Sequence, residues 1–427
     1  MKRTVIFTFV LGITLCASAQ LSKTEISKNI YLSASNYMAY PTPTSKLTPA
    51  PKGEKPFYIS HYGRHGSRYL ISKDDYEEPV KVMNKAHKEG KLTDLGKDVL
   101  RRLKMMSDES NDRLGELTLL GAQQHHDIAK RMYERFPEVF ADSAEIDARS
   151  TIVIRCILSM ENELQELVSM NPKLKIRHDA SKYDMYYLNL DDHKLAKQRM
   201  DSVTKIAYHK FCEAHIHPDR VMNELFNDTA YINNKINKDD LYYKLFSLAS
   251  NLQSSELRHS ITLYDIFNSE EIYDNWQREN VWWYINYGPC PLNGSTQPFS
   301  QRNLLNNILD YTDSAIVKEH PGATLRFGHE VVVMPLACLL ELNNSGEEIQ
   351  DFEQLDDKGW INYKIFPMGC NIQFIFYRKN FNDKDILVKV LLNENEARMP
   401  IKSDITPYYH WKDVEAYYRK KLNSFKE

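Results

Sequence analysis

The strongest constraint on the fold is how strand-like and helix-like segments divide along the chain. Strand-like runs alternate with helical patterns near both ends, whereas Lys182 through Tyr287 contains no glycine and almost no β-rich run. Alternation at both ends implies an α/β architecture: a mixed, mostly parallel sheet flanked by helices. The middle reads as an inserted, smaller α-helical domain over residues 180–289, within a core built from 20–179 and 290–427. At 427 residues, 42% hydrophobic and 26% charged, the chain can fill one large or two modest cores.

The periodicities predict strands at 56–60, 144–148, 174–177, 323–327, 371–378 and 386–392. They predict helices over 74–107 with a break near Gly90, over 118–136 with Thr118 as N-cap, and over 150–170 with Ser150 as cap. Further helices are expected at 191–211, 218–226, 238–253, 262–284, 300–319, 330–340 and 411–425, and a loop at 39–56.

The N-terminus reads as a processing signal. Lys2 and Arg3 precede an apolar run from Val5 to Leu15, followed by Ala17-Ser18-Ala19. This is the pattern of a secretory signal peptide over residues 1–19, cleaved after Ala19, and the run is too short for a stable span. Cys16 lacks the small preceding residue expected of a lipidated cysteine. The expected location is therefore the periplasm or the exterior, with no membrane span. Loss of Lys2 and Arg3 takes the formal charge from −3 to −5, a poor balance for nucleic acid. Cys156, Cys212, Cys290, Cys338 and Cys370 remain, an odd number without a CxxC spacing. Cys156 and Cys338 read as buried, and a disulfide between two of the others stays open. Asn227, Asn293 and Asn343 each start an N-glycosylation pattern.

Three short segments carry the chemistry. The first, Arg64-His65-Gly66-Ser67-Arg68, follows the 56–60 strand. Arginine forks grip phosphate oxygens, and a histidine nitrogen can attack phosphorus. Gly66 is expected to let an anion approach the backbone. Placement at a strand's carboxyl end suits ligand binding in an open α/β sheet. The second segment is Arg149-Ser150-Thr151-Ile152-Val153-Ile154-Arg155, in which Arg155 faces the same way as Thr151 and Ser159. Alone, Arg155 reads as a solvated helix arginine, and Arg149 fits a surface position equally well. The third, Arg326-Phe327-Gly328-His329-Glu330, again passes from strand to helix, where His329 can help hold an anion and Glu330 can donate a proton. His125-His126-Asp127 reads as structural, since adjacent helical residues diverge by about 100°.

Together the segments resemble the histidine acid phosphatases, closest to the branch of phytases and multiple inositol-polyphosphate phosphatases. The nucleophile motif matches at Arg64, His65 and Arg68, the next arginine at Arg155, and the late motif at Gly328, His329 and Glu330. Leu117-Thr118-x-x-Gly121-x-x-Gln124-His125 is similar to the helix between them. The likeness spans about residues 55–380. Two departures stand out. Glu330 directly follows His329, where relatives carry His-Asp or His-Ala-Glu. Asp184-Met185-Tyr186-Tyr187 lacks the basic residue expected to bind substrate.

The resemblance implies an exported phosphomonoesterase acting on inositol polyphosphates such as phytate. His65 becomes a phosphohistidine; Arg64, Arg68, Arg155 and His329 hold the phosphate; Glu330 protonates the leaving oxygen. No metal or other cofactor is expected. The partner is a small phosphomonoester, and the pH optimum is expected at about 4 to 7. A broad acid or sugar phosphatase is the alternative, and a phosphate-ligand-binding protein with little turnover a third reading.

Overall fold

Strand β1, Lys55–Arg64, is the axis of the molecule in this computed structural model, which describes residues 21–426 except 191 and 200. The signal sequence read at 1–19 lies outside the described residues. The other strands are β2 (Glu145–Ser150), β3 (Lys175–Asp179), β4 (Gly322–Gly328), β5 (Asn371–Arg378), β6 (Leu387–Leu392), β7 (Asn395–Ala397) and β8 (Tyr409–His410). They form one sheet in the order β3-β2-β4-β1-β5-β6-β7, with β8 paired to β6. β1, β2, β3, β4 and β6 point one way; β5, β7 and β8 run against them.

Burial follows this order. β4, β5 and β6 are buried throughout, as strands covered on both faces must be, while the edge strand β3 is largely exposed. Alternation along β1 sends Ile59 into one apolar layer, with Ile128, Met160, Leu325 and Ile375. It sends Tyr58 and Tyr62 into the opposite layer, with Leu305, Val333, Phe374 and Tyr418. The first layer is closed by helices Leu119–Arg135 and Ile154–Met170, the second by Arg302–Ile316, Glu330–Leu339 and Trp411–Ser424.

A third apolar cluster joins helices Lys73–Lys88 and Asp94–Ser110 to helices between Asp219 and Trp276. Other parts of the 180–289 stretch, Tyr187, Phe211, Val281 and Tyr284 among them, belong to the large sheet core instead. Gly90 breaks the 73–110 region with φ +67°, as the periodicity suggests.

Three differences bear on function. β1 runs through to Arg64, so the first arginine of the motif is itself a strand residue. β2 keeps Ser150, whose hydroxyl donates to Thr151 O, and the next helix starts only at Ile154. Arg155 therefore lies in the first turn, at the positive end of the helix. Helical turns at Leu21–Lys28 and Ile30–Tyr37, without a clear periodicity, bring Asn36 and Tyr37 beside β1.

Candidate active site

β1, β2 and β4 end together: Arg64 pairs with Gly328 and Ser150 with Phe327. The connection after β1 leads toward β2 and that after β4 toward β5, so these carboxyl ends flank a topological switch point. All three motif segments meet there.

His65 is fully buried at the tip of β1, its amide donating to Gly328 O and its carbonyl accepting from Gly369 N. Its Nδ1 lies 2.8 Å from Gly66 O. A carbonyl only accepts, so Nδ1 carries the proton and Nε2 keeps its lone pair. Burial first, then Arg64 and Arg68, hold its pKa well below 6.5 despite Glu330, so the ring is neutral near neutral pH.

Arg64 is anchored by Nη1, which donates to Asn36 O (2.6 Å) and Phe366 O (3.2 Å). Arg68 donates to Tyr69 O and lies over the Tyr37 ring. Arg155 makes one long bond to Gly115 O, 3.4 Å. The donors Arg64 Nη2, Arg68 Nε and Arg155 Nε are buried and without a hydrogen-bond partner, as is the His65 Nε2 lone pair. Buried donors are seldom left so; converging here, they describe a receptor for a multidentate oxyanion. His329 completes it: its ring is 5.7 Å from that of His65, and Nε2 is 3.3 Å from Thr151 Oγ1. Burial, reinforced by the arginines, pulls its pKa down to about 4.

Glu330 opens the helix Glu330–Leu339, where the dipole favours a carboxylate. Its Oε2 is 3.0 Å from Arg64 Nε and 3.5 Å from His65 Nε2, and Oε1 is 3.9 Å from Arg68 Nη2. Burial raises its pKa, but the Arg64 and Arg68 guanidinium groups outweigh that and hold it well below the ordinary 4.5. His65, His329 and Glu330 have donor atoms within 4.8 Å of one another, a metal-like spacing. The surrounding guanidinium groups make the same space hostile to a cation and favourable to phosphate.

The Leu117–His125 segment explains itself here. Thr118 caps its helix by accepting from Gly121 N and donates to Ser67 O. Gln124 accepts from Ser67 N and donates to Ser67 Oγ, clamping the loop after His65. Ser159 accepts from Gly66 N. A Cβ on Gly66 would stand 2.7 Å from Gly121 Cα, and one on Gly121 would stand 2.8 Å from Ser67 N. Gly66 thus serves the approach of a helix, where the sequence suggested the approach of an anion. His125 is buried against Glu163, 2.7 Å away, in a structural pair.

Arg149 lies outside the cradle, paired to Asp147 at 2.9 Å. Arg326 turns to the other face of the sheet, where it donates to Asn307 and Ser60. Cys156, Cys212, Cys290, Cys338 and Cys370 are all free, which answers the disulfide question among the described residues. Asn36, Tyr37 and Phe366 escaped the sequence reading, since backbone carbonyls and packing rings leave no motif.

Against known proteins, no curated sequence matches significantly. Solved structures do match in fold. The multiple inositol polyphosphate phosphatase of Bifidobacterium longum, solved with inositol hexasulfate, has a TM-score of 0.76 at 18% identity, covering 90% of this chain and 97% of that one. The phytase from D. castellii has a TM-score of 0.61 at 15% identity, covering 92% and 85%. The Hafnia alvei phytase, solved with tartrate, has a TM-score of 0.53 at 13% identity, covering 88% and 98%. The model of the histidine phosphatase superfamily (branch 2) matches residues 61–393, a span that holds every residue of the cradle built above. The chain belongs to branch 2 of the histidine phosphatase superfamily.

Proposed function

We propose that this histidine phosphatase is an exported phosphomonoesterase that hydrolyses inositol polyphosphates, phytate among them, through a phosphohistidine. The observation that carries the chemistry is the neutral His65, with Nδ1 tied to Gly66 O and Nε2 unpartnered beside Arg64, Arg68 and Arg155.

In this reading the Nε2 lone pair attacks phosphorus in line. Arg64, Arg68, Arg155 and His329 hold the equatorial oxygens, and their donors, already in place, stabilise the transition-state charge. As the P–O bond breaks, Glu330 gives its proton to the leaving oxygen. Water then attacks phosphorus, the Glu330 carboxylate takes a water proton, and the P–N bond breaks to release inorganic phosphate. The arginines supply the charge, so the mechanism needs no metal. Among the described residues no helix is long and apolar enough to cross a membrane. Export rests on the N-terminal pattern from Lys2 to Ala19.

The inositol reading rests on the fold shared with phosphatases solved around inositol hexasulfate. The same phosphate cradle also serves an acid or sugar phosphatase, and the scarcity of basic residues beyond it favours that second reading.

Radiolabelled phosphomonoester, mixed with enzyme and quenched in alkali, tests the chemistry, because phosphohistidine survives base and not acid. Label is expected on wild type and absent from His65→Ala, with turnover lowered about a thousandfold or more. Unchanged turnover in the variant would overturn the mechanism. Export is tested by expressing the whole chain in a bacterium: mature protein starting at Gln20 outside the cytoplasm supports it, and a retained Met1 refutes it.

A further inference from the structure

Beyond Arg68 and Glu330 the cleft continues as a cavity of about 330 Å³. Its walls come from segments remote in sequence: Tyr37, Tyr208, Tyr243, and Glu279, Trp282 and Trp283 of helix Ser269–Tyr287. The last three share one helix face by their i, i+3, i+4 spacing. This is where the leaving group of a phosphoester held at His65 must lie.

The chemistry of these walls is unlike a polyphosphate site. Among the described residues, Arg68 is the cation lining the cavity, and it already faces the phosphate cradle. The opposing charge is a carboxylate. Glu279 is paired with Arg278, whose Nε lies 3.5 Å from Oε1. Arg278 is itself stacked on the Tyr243 ring and does not line the cavity. Burial raises the Glu279 pKa above 4.5, and Arg278 offsets that only in part. What the cavity offers a leaving group is therefore a carboxylate acceptor, tyrosine hydroxyls and aromatic faces. A hydroxyl satisfies a carboxylate by donating to it, and ring C–H faces lie well on aromatic planes. A second phosphate dianion in the same place meets like charge in a poorly solvated cleft.

We infer that Glu279 is a specificity residue that selects leaving groups presenting a free hydroxyl rather than another phosphate. The favoured substrates are then polyol monophosphates and the least phosphorylated inositol phosphates. The inference rests on the phosphomonoesterase chemistry proposed above and, on substrate, sides with its second reading over the polyphosphate one.

The test compares kcat/KM for myo-inositol monophosphate and for phytate in wild type and Glu279→Gln. Wild type is expected to prefer the monophosphate. Glu279→Gln is expected to lose about tenfold on the monophosphate, mainly through KM, and to gain on phytate, so that the phytate-to-monophosphate ratio rises at least tenfold. A ratio that stays constant or falls overturns the inference. If the variant does not fold, the wild-type profile decides: higher kcat/KM on phytate than on the monophosphate overturns it equally. Higher kcat/KM on phosphoethanolamine than on inositol monophosphate also overturns it, since the carboxylate would then be reading an ammonium. Failure of wild type to release phosphate from any ester removes the phosphomonoesterase reading itself, an outcome distinct from a wrong preference.

Discussion

Nε2 of His65 stands 3.5 Å from Oε2 of Glu330. The carboxylate oxygen lies in front of the lone pair, in space that a phosphoryl group must enter. Burial raises the Glu330 pKa, but Arg64 and Arg68 hold it well below 4.5. An oxyanion in the cradle neutralises those same arginines, so its binding must raise the Glu330 pKa. Sulfate binding at pH 5, measured by calorimetry in buffers of different ionisation enthalpy, is expected to take up protons. Glu330→Gln is expected to abolish that uptake. Wild type that binds sulfate without a proton would mean that Glu330 is not armed by the phosphate site.

The second expectation concerns the leaving group. An acid matters most when the departing oxygen is a poor leaving group. Glu330→Gln is therefore expected to cost about 10² to 10⁴ in kcat on an alkyl phosphate and much less on p-nitrophenyl phosphate. A series of aryl and alkyl phosphates should give a steeper dependence of rate on leaving-group pKa in the variant. Equal losses across the series would assign the proton to another donor.

The phosphate end of this site was legible in the sequence because each part is a short word at a strand-to-helix junction. Arg64, His65 and Arg68 stand together, and His329 and Glu330 are neighbours. Arg155 needed the fold: its place in the first turn of Ile154–Met170 depends on β2 keeping Ser150. The leaving-group end was not legible. Tyr37, Tyr243 and Glu279 meet only in three dimensions, and a carboxylate inside a helix reads as an ordinary exposed residue. Asn36 and Phe366 act through carbonyl oxygens, which any residue supplies. β2, β4, β5 and β6 were read closely because they are short and largely buried; β1 was read at half its length, and the two- and three-residue β8 and β7 were not read at all. The shared cluster of the 73–110 and 219–276 helices, by contrast, depends on contacts that no local pattern encodes.

Gly66 and Gly121 touch backbone to backbone, which leads to a third expectation. A Cβ on Gly66 stands 2.7 Å from Gly121 Cα, a distance that backbone must yield to. Overpacking of this kind costs about 1–3 kcal/mol. Because Gly66 adjoins His65 and its amide is held by Ser159, the shift passes directly to His65. Gly66→Ala is expected to lower both the melting temperature and kcat, with an unchanged preference among substrates. A variant as stable and active as wild type would show that the helix N-terminus can move aside freely.

The fourth expectation is a conflict between activity and stability in acid. His61 is buried with both ring nitrogens unpartnered, and burial first, then His125 and Arg326, pulls its pKa from 6.5 to about 3. His329 falls to about 4, chiefly through burial. Above pH 6.5 these rings are neutral whether the chain is folded or not, and they contribute no slope. As pH falls below 6.5 the unfolded chain binds protons that the folded one refuses, so stability is lost down to the folded values. Together the two sites are worth a few kcal/mol across that window. Glu330 has the usual carboxylate sign: its contribution is present above 4.5 and goes only as pH falls through its still lower folded value. The loss is thus expected to begin well above the carboxylate range, in the region where the proposed mechanism calls for a protonated Glu330. Melting temperatures measured from pH 7.5 to 4 should fall from about 6.5 downward, and His61→Gln should flatten that slope while lowering the plateau. A flat profile down to pH 5 in wild type would mean that these histidines meet a proton acceptor when the chain is folded.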